Sequence, residues 1–271
     1  METIAIYLGA TRSLSTITSA MMALHPEVTV LNHAYGRIMT DARNDFLGAP
    51  VQERLERFTQ TALDMALGGR KGDFGGHILH SHAFDDETLR QAYLDRYGWG
   101  AKPGTKSLVW KEGTLVTNRI ARDNLDIVAI ARSLPALRFI ALVRNPVDIA
   151  ISSIDKGYAK ALVSSGRERD FDAVFTQILK RFAWFSQYAS HRPDQFRFIF
   201  QDELLDRRHL ASLCDFLRIS AARDWLDDIG RLVQLRPSYS IPDDNKAKLK
   251  TLAMRIIPES RIATRVAEQI L

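Results

Sequence analysis

The chain has 271 residues, a formal net charge of +5 and a pI near 9.4. Hydrophobic residues make up 46% and charged residues 25%, enough for a sizeable core, yet no stretch of 18 apolar residues offers a membrane span. The single cysteine, Cys214, excludes an internal disulfide and reads as a small core residue inside an apolar helical pattern.

The positive balance suits an anionic ligand, a nucleic acid or an anionic surface. No run of five or more Lys or Arg occurs and stacking motifs are lacking, which points away from nucleic acid. The apolar run Ile4 to Leu8 is too short for a signal peptide and has no basic flank, so a cytoplasmic location is expected. No repeat, low-complexity tract or long linker divides the chain, and a single domain over residues 1–271 is expected.

Ile4 to Leu8 reads as a short buried strand closed by Gly9, and Ser15 to Leu24 as a helix ended by His25-Pro26. Val28 to Leu31 reads as a second strand. Val51, Leu55, Phe58, Ala62 and Met65 recur at helical spacing, with Gly68-Gly69 as the stop. His77 to Phe84 reads as a strand of weak alternation, and Asp85-Asp86-Glu87 opens another helix. Ser107 to Trp110 is a strand, Thr114 to Ser133 one helix, and Arg138 to Val143 the clearest strand of all. Asn145 then stands where an N-cap belongs, with Pro146 at the first helical position. Phe171, Val174, Phe175, Ile178, Phe182 and Phe185 mark a long amphipathic helix whose aromatics belong to the core. Phe196 to Phe200 is a last strand and Glu203 to Leu217 a further helix. Strands alternating with helices predict an α/β fold, a parallel central sheet flanked by helices on both faces. Ligands of such sheets bind beyond the carboxyl ends of the strands, which directs attention to the loops after Leu8 and Val143.

The first of these loops, Gly9-Ala10-Thr11-Arg12-Ser13-Leu14-Ser15-Thr16, leads into a helix N-terminus with open N–H groups, hydroxyls and one cation. It is not a kinase loop: Leu14 replaces the second Gly of Gly-x-x-x-x-Gly-Lys-Ser/Thr, and Ser15 replaces the Lys that would hold a γ-phosphate. The residues alone also fit an ordinary Ser/Thr-rich helix cap. In the second loop Arg144 directly follows the strand, and Ser152 comes eight residues later.

Taken together, these segments resemble the PAPS-dependent sulfotransferases, whose donor is 3′-phosphoadenosine 5′-phosphosulfate. Strand-Arg144-Asn145-Pro146, Asp148 and Ser152 resemble the family's 3′-phosphate motif, and Arg12 to Thr16 its 5′-phosphosulfate loop, in which Gly is usual at the Leu14 position. His25-Pro26, the strand and acid-Leu step from Phe198 to Leu205, and Lys111 at a strand end add weaker matches; the resemblance spans roughly residues 4 to 218. It implies a P-loop NTPase-like fold, 3′-phosphoadenosine 5′-phosphate (PAP) as product, and no obligatory metal. It places Arg12 at the leaving or bridging oxygens, Ser13, Leu14, Ser15, Thr16 and the Ile17 N–H around the 5′-phosphate, and Arg144 with Ser152 at the 3′-phosphate. The family's C-terminal nucleotide clasp is not evident; Arg236 to Ser240 is a candidate substitute or an ordinary loop.

For the base that takes the acceptor proton, Ile78 to Ala83 resembles the Lys-Thr-His-Leu segment of aryl sulfotransferases, with His82 at the catalytic position and His80 at the Lys. His33, after the second strand, and Glu112, after Lys111, are the rivals. The His80-x-His82 pair alternatively suggests a metal, although no third ligand is evident. The expected acceptor is a small molecule or glycan whose identity the sequence does not give; the helix from Phe171 and the segment from Gly68 to Gly76 are candidates to shape its pocket. Competing functions are a P-loop-like nucleotide kinase, a nucleotide-binding module of the same fold without turnover, and an anionic-surface or nucleic-acid binder.

Overall fold

The computed structural model of the chain describes residues 1–70, 75–235, 237–239 and 242–271. In chain order its elements are β1 (Thr3–Leu8), α1 (Ser15–Ala23), β2 (Val28–His33), α2 (Tyr35–Ile38), α3 (Gln52–Ala66), β3 (Gly75–Gly76), α4 (Glu87–Tyr97), β4 (Ser107–Lys111), α5 (Gly113–Arg122), α6 (Ile127–Ser133), β5 (Leu137–Val143), α7 (Pro146–Asp155), α8 (Phe171–Ala189), β6 (Phe196–Phe200), α9 (Arg207–Phe216), α10 (Arg223–Leu232), α11 (Asp243–Ile256) and α12 (Ser260–Glu268).

The strands form one sheet in the order β3-β2-β4-β1-β5-β6, parallel throughout except for the two-residue β3. Alternation along each strand divides the core in two. From β1, Ile4, Ile6 and Leu8 face α3, α5, α6, α7, α8, α11 and α12, while Ala5 and Tyr7 face α1, α4, α9 and α10. Burial on both faces explains why the inner strands read as unbroken apolar runs.

β1 lies between β4 and β5, and its successor β2 lies beyond β4, so the chain changes direction at the carboxyl end of β1. That switch point is where a ligand crevice opens in such sheets. α8 extends past this edge. Its Phe185 and Tyr188 rings pack on Phe196 at the start of β6, whereas Arg181, a turn earlier, reaches the Gly9 carbonyl just beyond the end of β1. The half of α8 before Arg181 therefore stands above the carboxyl edge.

Three expectations are corrected. Residues 77–84 are not a strand: Ile78–His80 and His82–Asp85 are 3-10 turns, each with a preceding side chain (His77, Ser81) accepting a backbone N–H. The single helix expected over 114–133 is two, because Asn124 takes a left-handed φ of 48° and Asp126 caps a new start at Val128 and Ala129. The helix expected from Glu203 begins at Arg207, where Asp206 accepts from the Arg208 and His209 N–H groups; residues 201–203 form a 3-10 turn instead. The helix from Asn145-Pro146 starts as read, with the Asn145 side chain accepting from the Val147 N–H at 3.0 Å.

Candidate active site

The loop after β1 is pinned at its first residue from both directions. The Gly9 N–H donates to Thr117 Oγ1 of α5 at 2.8 Å, and its carbonyl accepts from Arg181 of α8 at 3.1 Å. Gly9 itself needs a φ of 121°, a region open to glycine. Further on, Arg12 and Leu14 both adopt φ 70°, and Ser13 between them donates its hydroxyl to the Ala10 carbonyl at 2.8 Å. Leu14 thus holds the left-handed conformation that a glycine would hold at the same place. The conformation costs a non-glycine residue about 1–2 kcal/mol, and contact of the Leu14 side chain with the core on the α1 face offsets it. Leu14 supplies no side-chain cap, so the first-turn N–H groups of α1 remain available to an anion.

Beyond β5, Arg144 sits 3.1 Å from Asp148, which is fully buried. Asp148 and Ser152 share a face of α7, four residues apart. Ser152 Oγ accepts from Arg12 Nε at 2.8 Å, so the expected 3′-phosphate serine touches the expected sulfuryl-side arginine. The other Asp148 oxygen accepts from the Tyr239 N–H at 2.9 Å, which brings the segment after α10 to the same place. Arg236 and Ser240 of that segment, and residues 71–74 of the Gly68 to Gly76 segment, lie outside the described residues. Buried polar atoms without a hydrogen-bond partner collect here: Thr11 Oγ1, Arg144 Nε, Asn145 Nδ2 and Ser238 Oγ, together with Asp148 Oδ2, which has only its ion pair with Arg144. Buried donors left open in this way are costly unless a ligand or water completes them.

On the other side of β1, the ends of β2 and β4 carry a second cluster. Lys111 Nζ donates to Asn32 Oδ1 at 3.1 Å and to Ser81 Oγ at 3.4 Å, and lies 3.4 Å from His33 Nε2. Burial of Lys111 pushes its pKa down to about 8, against the pull of Glu112. The other imidazole nitrogen, Nδ1, faces Glu112 Oε2 at 3.3 Å. Glu112 is 7% exposed and His33 39%, so a carboxylate orients an imidazole that still opens to solvent. The backbone turns sharply to achieve this, with φ 59° at His33 and 73° at Ala34. Trp110 Nε1 holds the His33 carbonyl at 2.6 Å. Gly75 packs against the turn so closely that a Cβ would stand 2.6 Å from Ala34 Cα.

Of the residues read from the sequence, the structure joins Arg12 with Ser152, and His33 with Lys111 and Glu112. His82 stands apart from the latter group: it is 84% exposed and bonds to Asp85 at 3.1 Å. Without the strand, the alternation that aligned His80 with His82 is lost; His80 packs beside His77 and Trp99. His25 is structural, its Nε2 meeting the Ser220 carbonyl and its Nδ1 accepting the Glu27 N–H. Cys214 is buried, as read, and burial pushes its thiol up to about 12. Among the described residues no group of three His, Cys, Asp or Glu is placed to hold a metal ion, and no helix is long and apolar enough to cross a membrane.

Sequence reading missed Asn32, Ser81, Thr117, Asn118 and Arg181. Only Arg181 left a signal, a cation directly beside Phe182 of the apolar face of an amphipathic helix.

A family model described as the sulfotransferase family matches residues 5–223, the greater part of the chain and both arginine loops. The chain belongs to the sulfotransferase family. Among solved structures, this sulfotransferase is similar to the sulfotransferase domain from the Synechococcus PCC 7002 olefin synthase, at TM-score 0.43 and 18% identity over 98% of this chain and 93% of that one. It is also similar to the sulfotransferase domain from the curacin biosynthetic pathway, at TM-score 0.43 and 18% identity over 100% of this chain and 98% of that one. No curated protein matches it.

Proposed function

We propose that this sulfotransferase transfers a sulfuryl group from PAPS to a hydroxyl or amine of a small-molecule or glycan acceptor, by in-line displacement. The observation that carries the reading is the Arg12–Ser152 hydrogen bond beside the unpartnered donors Thr11 Oγ1, Arg144 Nε and Asn145 Nδ2. These donor groups stand on two segments, the loop after β1 and the junction of β5 with α7, and their chemistry fits a nucleotide carrying two phosphates. A kinase reading finds less support, because the loop lacks the Lys that would engage a γ-phosphate.

In this reading Arg144 and Ser152 bind the 3′-phosphate, and Asp148 fixes Arg144 while drawing in Tyr239 and Ser238 as one wall of the nucleotide site. Ser13, Leu14, Ser15, Thr16 and the Ile17 N–H surround the 5′-phosphate. Arg12 faces the transferred group and stabilises charge on the bridging oxygen. The acceptor oxygen bonds to sulfur as the bridging S–O bond breaks, and that bond's electron pair leaves with PAP. The acceptor proton passes to His33 Nε2, with Glu112 stabilising the imidazolium through Nδ1–H. His33 takes precedence over His82 because it alone of the two is oriented by a buried carboxylate. In this reading the cleft of about 400 Å³ between residues 162–164 and the projecting half of α8 receives the acceptor.

The test is transfer of ³⁵S from labelled PAPS to a panel of phenols, sugars and lipids. His33→Ala is expected to lose at least about 100-fold in kcat, with PAP affinity within threefold, while His82→Ala stays within twofold. Loss of turnover in His82→Ala with His33→Ala unaffected would reverse the assignment. A wild-type protein that transfers no label but binds ATP with Mg²⁺ would replace the reading with a kinase.

A further inference from the structure

Arg181 has no role in the chemistry above, yet its position is unusual. Its guanidinium donates to three oxygens from three parts of the fold: the Gly9 carbonyl at 3.1 Å, Asn118 Oδ1 of α5 at 2.7 Å, and the Ala161 carbonyl at 3.0 Å. Gly9 opens the donor loop. Ala161 ends a 3-10 turn, and the residues that follow it, Leu162, Val163 and Ser164, form one wall of the 400 Å³ cleft. The opposite wall is Ala173, Thr176 and Lys180, the stretch of α8 directly before Arg181.

Among the described residues no carboxylate pairs with Arg181, and burial pushes its pKa down to about 10, which still leaves it charged at neutral pH. A buried charge supported only by neutral oxygens destabilises a fold unless something else uses its field. The anion nearest to hand is one bound on the loop that begins at Gly9. A fork that grips two backbone carbonyls also transmits displacement: a shift of Gly9 on ligand binding moves the guanidinium, and with it Ala161.

We propose that Arg181 is a positioning residue that couples the donor loop to the 159–164 turn, so that filling the nucleotide site orders the wall of the cleft. The inference rests on the nucleotide reading of the preceding subsection. By linkage, an acceptor that orders the same wall tightens nucleotide binding by the same factor.

The experiment compares wild type, Arg181→Met and Arg181→Lys by calorimetric titration with PAP and by hydrogen exchange of residues 159–164 with and without PAP. In the wild type, PAP is expected to slow exchange in this segment. Arg181→Met is expected to bind PAP at least tenfold more weakly and to show no PAP-dependent protection there. Arg181→Lys retains the charge but cannot grip both carbonyls, so it is expected to recover part of the affinity and none of the protection. Should Arg181→Met fail to fold, the lysine variant alone decides. Full protection by PAP in a folded Arg181→Lys protein, or unchanged affinity and protection in Arg181→Met, overturns the coupling role. Failure of the wild type to bind PAP overturns the nucleotide reading instead.

Discussion

Arg12 Nε donates to Ser152 Oγ across 2.8 Å, joining the loop after β1 to helix α7 over a separation of 140 positions. Either side chain alone is an ordinary polar group, one in the loop before α1 and the other in the second half of α7. Bonded to each other at the switch point of a parallel sheet, they form the pair on which the proposed anion site beyond β1 and β5 rests.

Ser152→Ala is expected to weaken PAP binding about tenfold, the loss of one hydrogen bond to a charged group. Its effect should not add to that of Arg12→Ala, because each removes the other's partner; a coupling of roughly 0.5–3 kcal/mol is expected in the double-mutant cycle. Calorimetric titration of the four proteins measures it. Additive losses would mean that the two side chains act separately.

Leu14→Gly is expected to leave PAP affinity within about threefold. The backbone at Leu14 already has the left-handed shape that glycine adopts without strain, so the loop has little to gain. Relief of about 1–2 kcal/mol of strain is set against lost packing on the α1-side core and the greater chain entropy of glycine. Urea unfolding should place the stability change within about 1 kcal/mol, whereas Leu14→Val, β-branched in the same conformation, should lose clearly more. A tenfold gain in affinity from Leu14→Gly would show that the leucine side chain, not the backbone, obstructs the loop.

Much of the frame could be read from the chain, and the reasons are local. Buried parallel strands announce themselves as apolar runs, and Asn145-Pro146 marks its helix start because the cap and the fixed φ are properties of two adjacent residues. The errors also have local causes. Asp126 and Asp206 are caps hidden inside longer amphipathic stretches, where a carboxylate suits the exposed face of a continuous helix as well as it suits a cap. The choice of base was hard to read for a different reason. His82 was favoured by a segment resemblance and by an expected strand that the fold does not form, while the setting of His33 depends on Lys111 and Glu112 from the end of another strand and on the Gly75 contact, none of which is near in sequence. Arg181 depends on three such distant partners.

Lys111→Met should stabilise the fold near neutral pH, and the gain should fade as pH rises. In the folded chain Lys111 gives up its proton near pH 8, in the unfolded chain near 10.5. Between those values the unfolded state binds more protons, so the wild type gains stability with rising pH. Below pH 8 the buried charge is a burden of at most about 3 kcal/mol, the 1.36 kcal/mol per pKa unit of that shift, reduced by the bonds to Asn32 and Ser81. Urea denaturation at pH 7 and pH 10 should therefore show a difference between variant and wild type that shrinks at the higher pH. A constant difference would mean that the ammonium is fully compensated where it stands.

The most direct measurement is calorimetric titration of PAP into the metal-free protein, wild type against Arg144→Ala. Micromolar or tighter binding to the wild type, weakened roughly 10- to 100-fold in the variant, is the expected result. A folded wild-type protein that does not bind PAP, or an Arg144→Ala protein that binds it equally well, would contradict the assignment of the β1 and β5 loops as a nucleotide site.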